Sequence, residues 1–372
     1  MERLKKNSTL EHSNVLSESI FFNEREMVQT PIPGLNIAYS GEVDGGLSSG
    51  IHVWAGPSKH FKSMFCLISV ASYLHRYPDS VCLFYDNERG SPPDYFKAAG
   101  ISPERVLHSP FVSLEELRTD ITTQLKDIKR GDKVIFMIDS LGLAASNKEI
   151  QDAEDGKEKA DFTRAKINKS LFRIITPHLW IKDIPMVAVQ HTYETMEMFS
   201  KTVVSGGTGT MLAADNVYVL GRRQEKEGTE LTGYSFIINI EKSRFVKEKS
   251  KIPVTVKRDN SGIMRWGGLF DLALEGGFLH RNSAVSYSLV DQDGVVHDDK
   301  LRRKEIENDS KFWRLMLERK DFKEYIKSRF KLSSKDLLSK EEELTDVEDK
   351  PMFEHQDKGN TVIGDPELES NN

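Results

Sequence analysis

The chain has 372 residues, 38% of them hydrophobic and 30% charged, and a formal net charge of −6. That length holds one large domain with appendages or two domains, and the composition is that of a globular protein more charged than average. No apolar run approaches a membrane span and residues 1–14 are polar without a signal-peptide core. Cys66 and Cys82 show neither metal-ligand spacing nor a disulfide framework, so a cytoplasmic chain without zinc or structural disulfides is expected.

The charge is unevenly spread. Residues 341–372 hold 11 acids against 2 bases, a net of −9, so the remainder carries +3. A mildly basic body is compatible with nucleic acid without demanding it. From about residue 333 the chain is polar, then acidic and aperiodic, which predicts a disordered tail, either solubilising or regulatory.

In chain order, residues 1–30 form a polar arm whose one apolar patch, Ile20-Phe21-Phe22, must dock on its own body or on another subunit. Pro31, Pro33 and Gly34 punctuate the start of the main domain. Ile51 to Ala55 reads as a buried strand, followed by a tight loop and a helix from Lys62 to Tyr77 with apolar residues at Met64, Phe65, Leu67, Ile68, Ala71 and Leu74. The intervening Gly56-Pro57-Ser58-Lys59-His60-Phe61-Lys62-Ser63 has the register of a P-loop, G-x-x-x-x-G-K-[ST]. In that motif backbone N–H groups and a helix N-terminus face a polyphosphate, the lysine reaches the terminal phosphates, and the Ser63 hydroxyl would ligate Mg²⁺. Phe61 stands where the second glycine belongs, tolerable by this reading only if it keeps φ negative. The alternative is an ordinary strand-to-helix turn with an exposed lysine.

Val81 to Tyr85 is a second apolar strand ending in Asp86-Asn87-Glu88, acids placed where α/β sheets bind ligands. Gly90 to Gly100 is a turn and short helix holding Tyr95. Val106 to Ser109 is a short strand, and Ser113-x-x-Glu116 is a capping box before Leu114, Leu117, Ile121, Leu125 and Ile128. Lys133 to Asp139 is a buried strand ending in aspartate, the Walker B form, with Asp139 the Mg²⁺ acid. Residues 147–160 are expected to be a mobile loop, and 161–180 a helix. Ile184 to Val189 is a strand ending in Gln190-His191. Residues 192–209 form a Ser/Thr/Gly-rich functional loop. Val217 to Leu220 and Tyr234 to Ile240 read as strands. Seven bases against one acid follow between Lys242 and Arg258, by default a solvated strand face. The alternation gives an α/β domain with a mainly parallel sheet, closing at Gly276-Gly277. Residues 311–332 form one clear helix of a smaller C-terminal region.

These residues resemble the RecA/RadA recombinase family, on its phage branch. The likeness runs from about residue 20 to 330. It is carried by Phe21–Glu24, Ala55–Ser63, Val81–Asp86, Val187–His191, Glu197–Val203, Ser205–Gly209 and Glu241–Arg244. It implies a RecA-like P-loop ATPase core of mainly parallel twisted sheet flanked by helices over 31–276. To this it adds a polymerisation arm over 1–30, a small C-terminal domain over 277–332 and an acidic disordered tail over 333–372. A phenylalanine at position 61 is typical of that branch. The resemblance implies that Lys62 and Ser63 hold phosphate and Mg²⁺, that Asp139 is the Walker B acid, that Glu88 activates the attacking water and that Tyr95 stacks adenine. His191 would sense the γ-phosphate where bacterial relatives carry glutamine. Lys242 and Arg244 would reach ATP on the neighbouring subunit. The loops at 142–160 and 192–209 would bind DNA, the second through Met198, Phe199, Lys201, Ser205, Gly206, Gly207 and Thr208; the first is net acidic here.

The activity so implied is ATP- and Mg²⁺-dependent pairing and strand exchange between single-stranded and homologous duplex DNA. The chain would form a helical filament with itself, assisted by a mediator and a single-strand-binding protein, in the cytoplasm of a bacterial host. A ring-forming helicase on the same core, a regulatory protein with a spent P-loop and a small-molecule kinase are the competing readings.

Overall fold

The computed structural model describes residues 1–23, 26–157, 163–196, 201–206, 208–227, 229–257 and 262–332. The tail beyond 332, Met198, Phe199 and Gly207 lie outside the described residues.

The strands are β1 Gly50–Gly56, β2 Val81–Asp86, β3 Val106–Pro110, β4 Val134–Asp139, β5 Pro185–Glu194, β6 Thr202–Val204, β7 Asn216–Glu227, β8 Glu230–Lys242 and β9 Lys251–Lys257. They form one sheet in the order β3-β2-β4-β5-β1-β7-β8-β9, with β6 attached to β5. From β3 to β7 every pairing is parallel; β7–β8 and β8–β9 are antiparallel. A separate hairpin pairs β10 Leu279–Arg281 with β11 Tyr287–Leu289.

The helices are α1 Glu2–Asn7, α2 Ile20–Asn23, α3 Pro33–Ser40, α4 Lys62–Arg76, α5 Pro93–Ala98, α6 Leu114–Asp127, α7 Asn147–Glu154, α8 Thr163–Lys182, α9 Thr208–Ala213, α10 Leu269–Glu275, α11 Arg303–Asn308, α12 Ser310–Glu318 and α13 Lys320–Phe330. Successive side chains of a strand face opposite sides, and a parallel sheet must be covered on both. In β1, Trp54 joins the cluster formed with α3 and α4, whereas Ile51, Val53 and Ala55 join the cluster under α6 and α8. β4 divides likewise, with Ile135 and Met137 on one side and Val134, Phe136 and Ile138 on the other. This is why the strands read as unbroken apolar runs. Cys66 and Cys82 are buried free thiols in the first cluster. Trp313, Phe322, Ile326 and Phe330 of α12 and α13 belong to the same cluster, so the segment after residue 277 shares a core with the sheet's α3–α4 face.

Three expectations are corrected. The loop at 147–160 begins as helix α7, because Ser146 and Glu149 make a capping box in which the Ser146 hydroxyl accepts from Glu149 N at 3.1 Å and the Glu149 carboxylate from Ser146 N at 2.7 Å. The segment 311–332 is two helices, since Arg319 is extended (φ −64°, ψ 125°) and its guanidinium binds Asp321 and the carbonyl of Asp291. The loop at 192–209 opens as an antiparallel hairpin, Thr192 opposite Val204 and Glu194 opposite Thr202, and closes in α9. Of the two docking places open to the apolar arm, its own body or another subunit, Phe21 takes the first within this chain. The ring stacks on exposed Trp180 at 4.7 Å, with the Arg130 guanidinium 5.0 Å above it.

Candidate active site

The carboxyl ends of β1, β2, β4 and β5 converge. Gly56 lies opposite His191, and Asp86 opposite Asp139, in the parallel register. The loop after Gly56 runs into the N-terminus of α4 at Lys62. Lys59 and Phe61 both have positive φ, 61° and 57°. The condition that Phe61 keep φ negative is therefore not met: it takes the left-handed position that a glycine would fill. A non-glycine residue pays about 1 kcal/mol for this. Its ring turns away from the bend onto β8, with its centroid 5.6 Å from Phe236 and 6.4 Å from Tyr234, so contact with aromatic neighbours offsets the strain. Arg222 donates to Lys59 O at 2.9 Å and braces the loop from β7.

Lys62 is buried, and its ammonium donates to Pro57 O at 2.9 Å across the bend. Burial pushes its pKa down, against the carboxylates of Glu88 and Asp139 that hold it up. Asp139 is almost fully buried, and burial raises its pKa to about 6. Glu88 and Asp86 add to that rise, while hydroxyl hydrogen bonds from Ser63 and Ser91 oppose it. Ser91 Oγ lies 3.2 Å from Oδ2, whereas Oδ1 has no hydrogen-bond partner among the described residues. A buried carboxylate oxygen left without a donor, next to the Ser63 hydroxyl, fits a divalent cation. Among the described residues no three His, Cys, Asp or Glu side chains gather as a metal site, so such an ion would take its other ligands from phosphate and water.

Glu88 is shaped by an Asx-type turn in which Asp86 Oδ1 accepts from Glu88 N at 3.0 Å and Arg89 N at 2.9 Å. Its Oε1 receives His191 Nε2 at 3.0 Å and the Ser140 hydroxyl. The His191 hydrogen bond, with Ser140 and the charge of Lys62, holds its carboxyl below the ordinary range against the effect of burial. Ser140 in turn donates its N–H to Asn87 Oδ1 at 2.7 Å. Ser140, Ser91 and Asn87 were not singled out from sequence; only their position beside strand-end acids could have marked them. Tyr95, on α5, is exposed.

Lys242 and Arg244 do not join this group. Lys242 is the last residue of β8 and Arg244 follows two residues on; Lys242 pairs with Val217 and donates to the carbonyls of Met211 (2.7 Å) and Leu212 (3.0 Å). Arg244 pairs with Asp215, whose other oxygen accepts Ile51 N at 2.8 Å at the start of β1. Gly56 lies five residue steps beyond Ile51, roughly 17 Å of strand, beyond the reach of an arginine side chain. Of the proposed DNA contacts, Lys201 is exposed beside β6, Ser205 and Gly206 sit under the hairpin, and Thr208 opens α9.

The crossover order, the two-sided helical cover and a phosphate loop at the sheet's carboxyl edge define a RecA-like P-loop fold. A sequence model described as Bacteriophage T4, Recombination and repair protein, C-terminal domain matches residues 266–326. Over 338 residues the chain is 49% identical to the Recombination and repair protein of Enterobacteria phage T4, spanning 90% of this chain and 86% of that protein. The chain belongs to this UvsX family of phage recombination and repair proteins. Among the described residues no helix is long and apolar enough to cross a membrane.

Proposed function

We propose that the chain is an ATP-dependent DNA recombinase that polymerises on single-stranded DNA and catalyses homologous pairing and strand exchange, in phage recombination, recombination-dependent replication and repair. The observation that carries this reading is the contact between Glu88 and His191. The same His191 accepts Ser205 N on its carbonyl at 2.8 Å, so one residue touches both the candidate general base and the candidate DNA loop.

In this mechanism the amides of Gly56 to Ser63 cradle the phosphates, and Lys62 leaves Pro57 O for the terminal phosphate. Ser63 and Asp139 would hold Mg²⁺, which when bound would neutralise charge on the phosphate oxygens. Glu88, kept ionised, orients the attacking water and accepts its proton. Tyr95 stacks adenine. Lys242 and Arg244 complete the site of an adjacent copy, as an arginine finger does. Such head-to-tail contacts do not close, and a helical filament follows, with the arm at residues 1–30 free to exchange onto a neighbour. Lys201, Ser205 to Thr208 and the side chains of Met198 and Phe199 grip the DNA backbone without reading sequence, which base pairing does. Residues 31–276 form the catalytic core and 277–332 the small C-terminal domain. The acidic tail competes with DNA, and a mediator and a single-strand-binding protein assist loading in the host cytoplasm.

The test is ATP turnover with and without single-stranded DNA, alongside joint-molecule formation, in the native chain and Lys62→Ala. Turnover stimulated by DNA and abolished with joint molecules in Lys62→Ala is expected. Unstimulated turnover, or unwinding of forked duplex without homologous pairing, would overturn the reading.

A further inference from the structure

Beneath the β5–β6 hairpin lies a polar cluster that the mechanism above leaves unused. Gln190 in the middle of β5, Asn168 on α8 and Thr210 on α9 are all nearly inaccessible. Gln190 Nε2 donates to Ser205 O at 2.9 Å, and Asn168 Nδ2 to Gly206 O and Thr210 Oγ1, both at 3.0 Å. Gly206 has φ +88°, and a Cβ there would lie 2.6 Å from Gln190 Nε2 and 2.8 Å from Asn168 Nδ2. The Ser205–Gly206 step is thus bolted to the sheet by two side-chain amides and by the carbonyl of His191.

The cluster is also incomplete. Gln190 Oε1, Asn168 Oδ1 and Ser205 Oγ are buried without a hydrogen-bond partner among the described residues. Gln190 Oε1 faces the other candidate DNA loop, lying 2.9 Å from where a Cβ of Gly142 would be. Buried polar groups are nearly always paired, and an unpaired one raises the energy of the arrangement that leaves it so. Three at one joint mark a segment that gains hydrogen bonds by shifting.

We propose that Asn168 is a positioning residue for nucleotide turnover, tying the Ser205–Gly206 step to the His191–Glu88 pair so that occupancy of the hairpin by single-stranded DNA resets the general base. The inference rests on the recombinase reading. A pull on the loop moves Gly206, the Asn168 and Gln190 amides re-pair with it, and the His191 carbonyl and ring move together. Glu88 then turns from His191 toward the attacking water. Asn168 itself touches neither DNA nor nucleotide; it acts through Gly206.

The test uses the full chain with Asn168→Leu, which keeps the bulk of the side chain on α8 and removes its hydrogen bonds. Two ratios are measured: turnover with over without single-stranded DNA, and DNA affinity with over without ATP. The affinity ratio reports the coupling free energy between DNA and ATP, whereas the turnover ratio reports the effect of DNA on hydrolysis and need not equal it. Each ratio is expected to fall about tenfold, the worth of one buried hydrogen bond, with basal turnover within about twofold of native. Thr210→Val, which takes away only the other partner of Asn168, gives a smaller loss in the same direction and serves should Asn168→Leu fail to fold. A native chain without DNA stimulation would sink the recombinase reading itself. A stimulated native chain whose ratios survive in both variants, or a variant in which basal and stimulated turnover fall by one common factor, would overturn the role of Asn168 alone.

Discussion

Asp139→Asn separates what the active site does for binding from what it does to folding. Burial raises the pKa of this carboxyl from 3.8 to about 6, so the folded chain holds its proton more tightly than the unfolded chain. Between about pH 4 and pH 6 the folded state therefore binds more protons, and stability falls as pH rises through that window. The rise is about two units, and at ~1.4 kcal/mol per unit the penalty is about 3 kcal/mol, complete by pH 7. Asparagine keeps the shape and removes the charge. Its amide nitrogen then sits without an acceptor where Oδ1 had no donor, which costs about 1–2 kcal/mol. The ligand-free variant should be about 1–2 kcal/mol more stable than the parent at pH 7.5 and no more stable at pH 4.5, read from urea midpoints at both pH values. Adding Mg²⁺ and ATP should raise the parent's midpoint and leave the variant's almost unmoved, reversing their order. A variant less stable than its parent at pH 7.5 without ligand, or a gap that ignores pH, would refute the argument.

Phe61→Val puts a β-branched residue at φ 57° and removes the ring from Phe236; it should lower the thermal midpoint and weaken ATP binding, whereas Phe61→Gly should keep ATP affinity within a few-fold. Glu88→Gln should retain ATP binding and lose about 10²-fold or more of turnover. Because His191 holds Glu88 below the usual carboxyl range, the parent's turnover should show no loss from Glu88 protonation between pH 8 and pH 5. Mixing Lys62→Ala with Lys242→Ala in equal amounts should restore about a quarter of native turnover, the share of head-to-tail interfaces with both halves intact. No recovery in the mixture would place Lys242 outside any shared site.

The parallel strands and the strand–loop–helix unit around Gly56 to Ser63 were legible because burial on both faces forces continuous apolar runs between turns, and that loop sits between such a run and an amphipathic helix. The aspartate that closes β4 followed from the same logic. What escaped was set by single local contacts. Ser146 and Glu149 carry the same capping signal as Ser113 and Glu116, yet the charged residues after them masked a helix with no buried residue. Arg319 lies within an apolar period of 3.6 and breaks it only through bonds to Asp321 and to the carbonyl of Asp291, distant in sequence. β7 and β8 run well past their apolar cores, since hairpin pairing continues out to Glu227 and Glu230. The left-handed Phe61 depends on aromatic rings contributed by residues 234 and 236, which no reading of the loop itself could supply.

If Lys242 and Arg244 serve a nucleotide, strand direction requires that it be one bound by a second copy. A parallel sheet places every phosphate-facing group at one edge, and β8, running antiparallel to β7, delivers Lys242 and Arg244 to the other. Within one chain they stay roughly a strand length apart. Arg244 is 58% exposed and its partner Asp215 only 13%, so the pair is open to solvent on the arginine side alone. A triphosphate presents several negative charges at a helix N-terminus under partial burial, where bidentate arginine contacts are stronger. In the proposed filament, transfer of Arg244 from Asp215 to a neighbour's nucleotide would be favoured by the phosphate charge, and loss of the γ-phosphate would remove much of that gain. Nucleotide state and subunit contact would then be coupled through that exchange, without any large movement of the sheet.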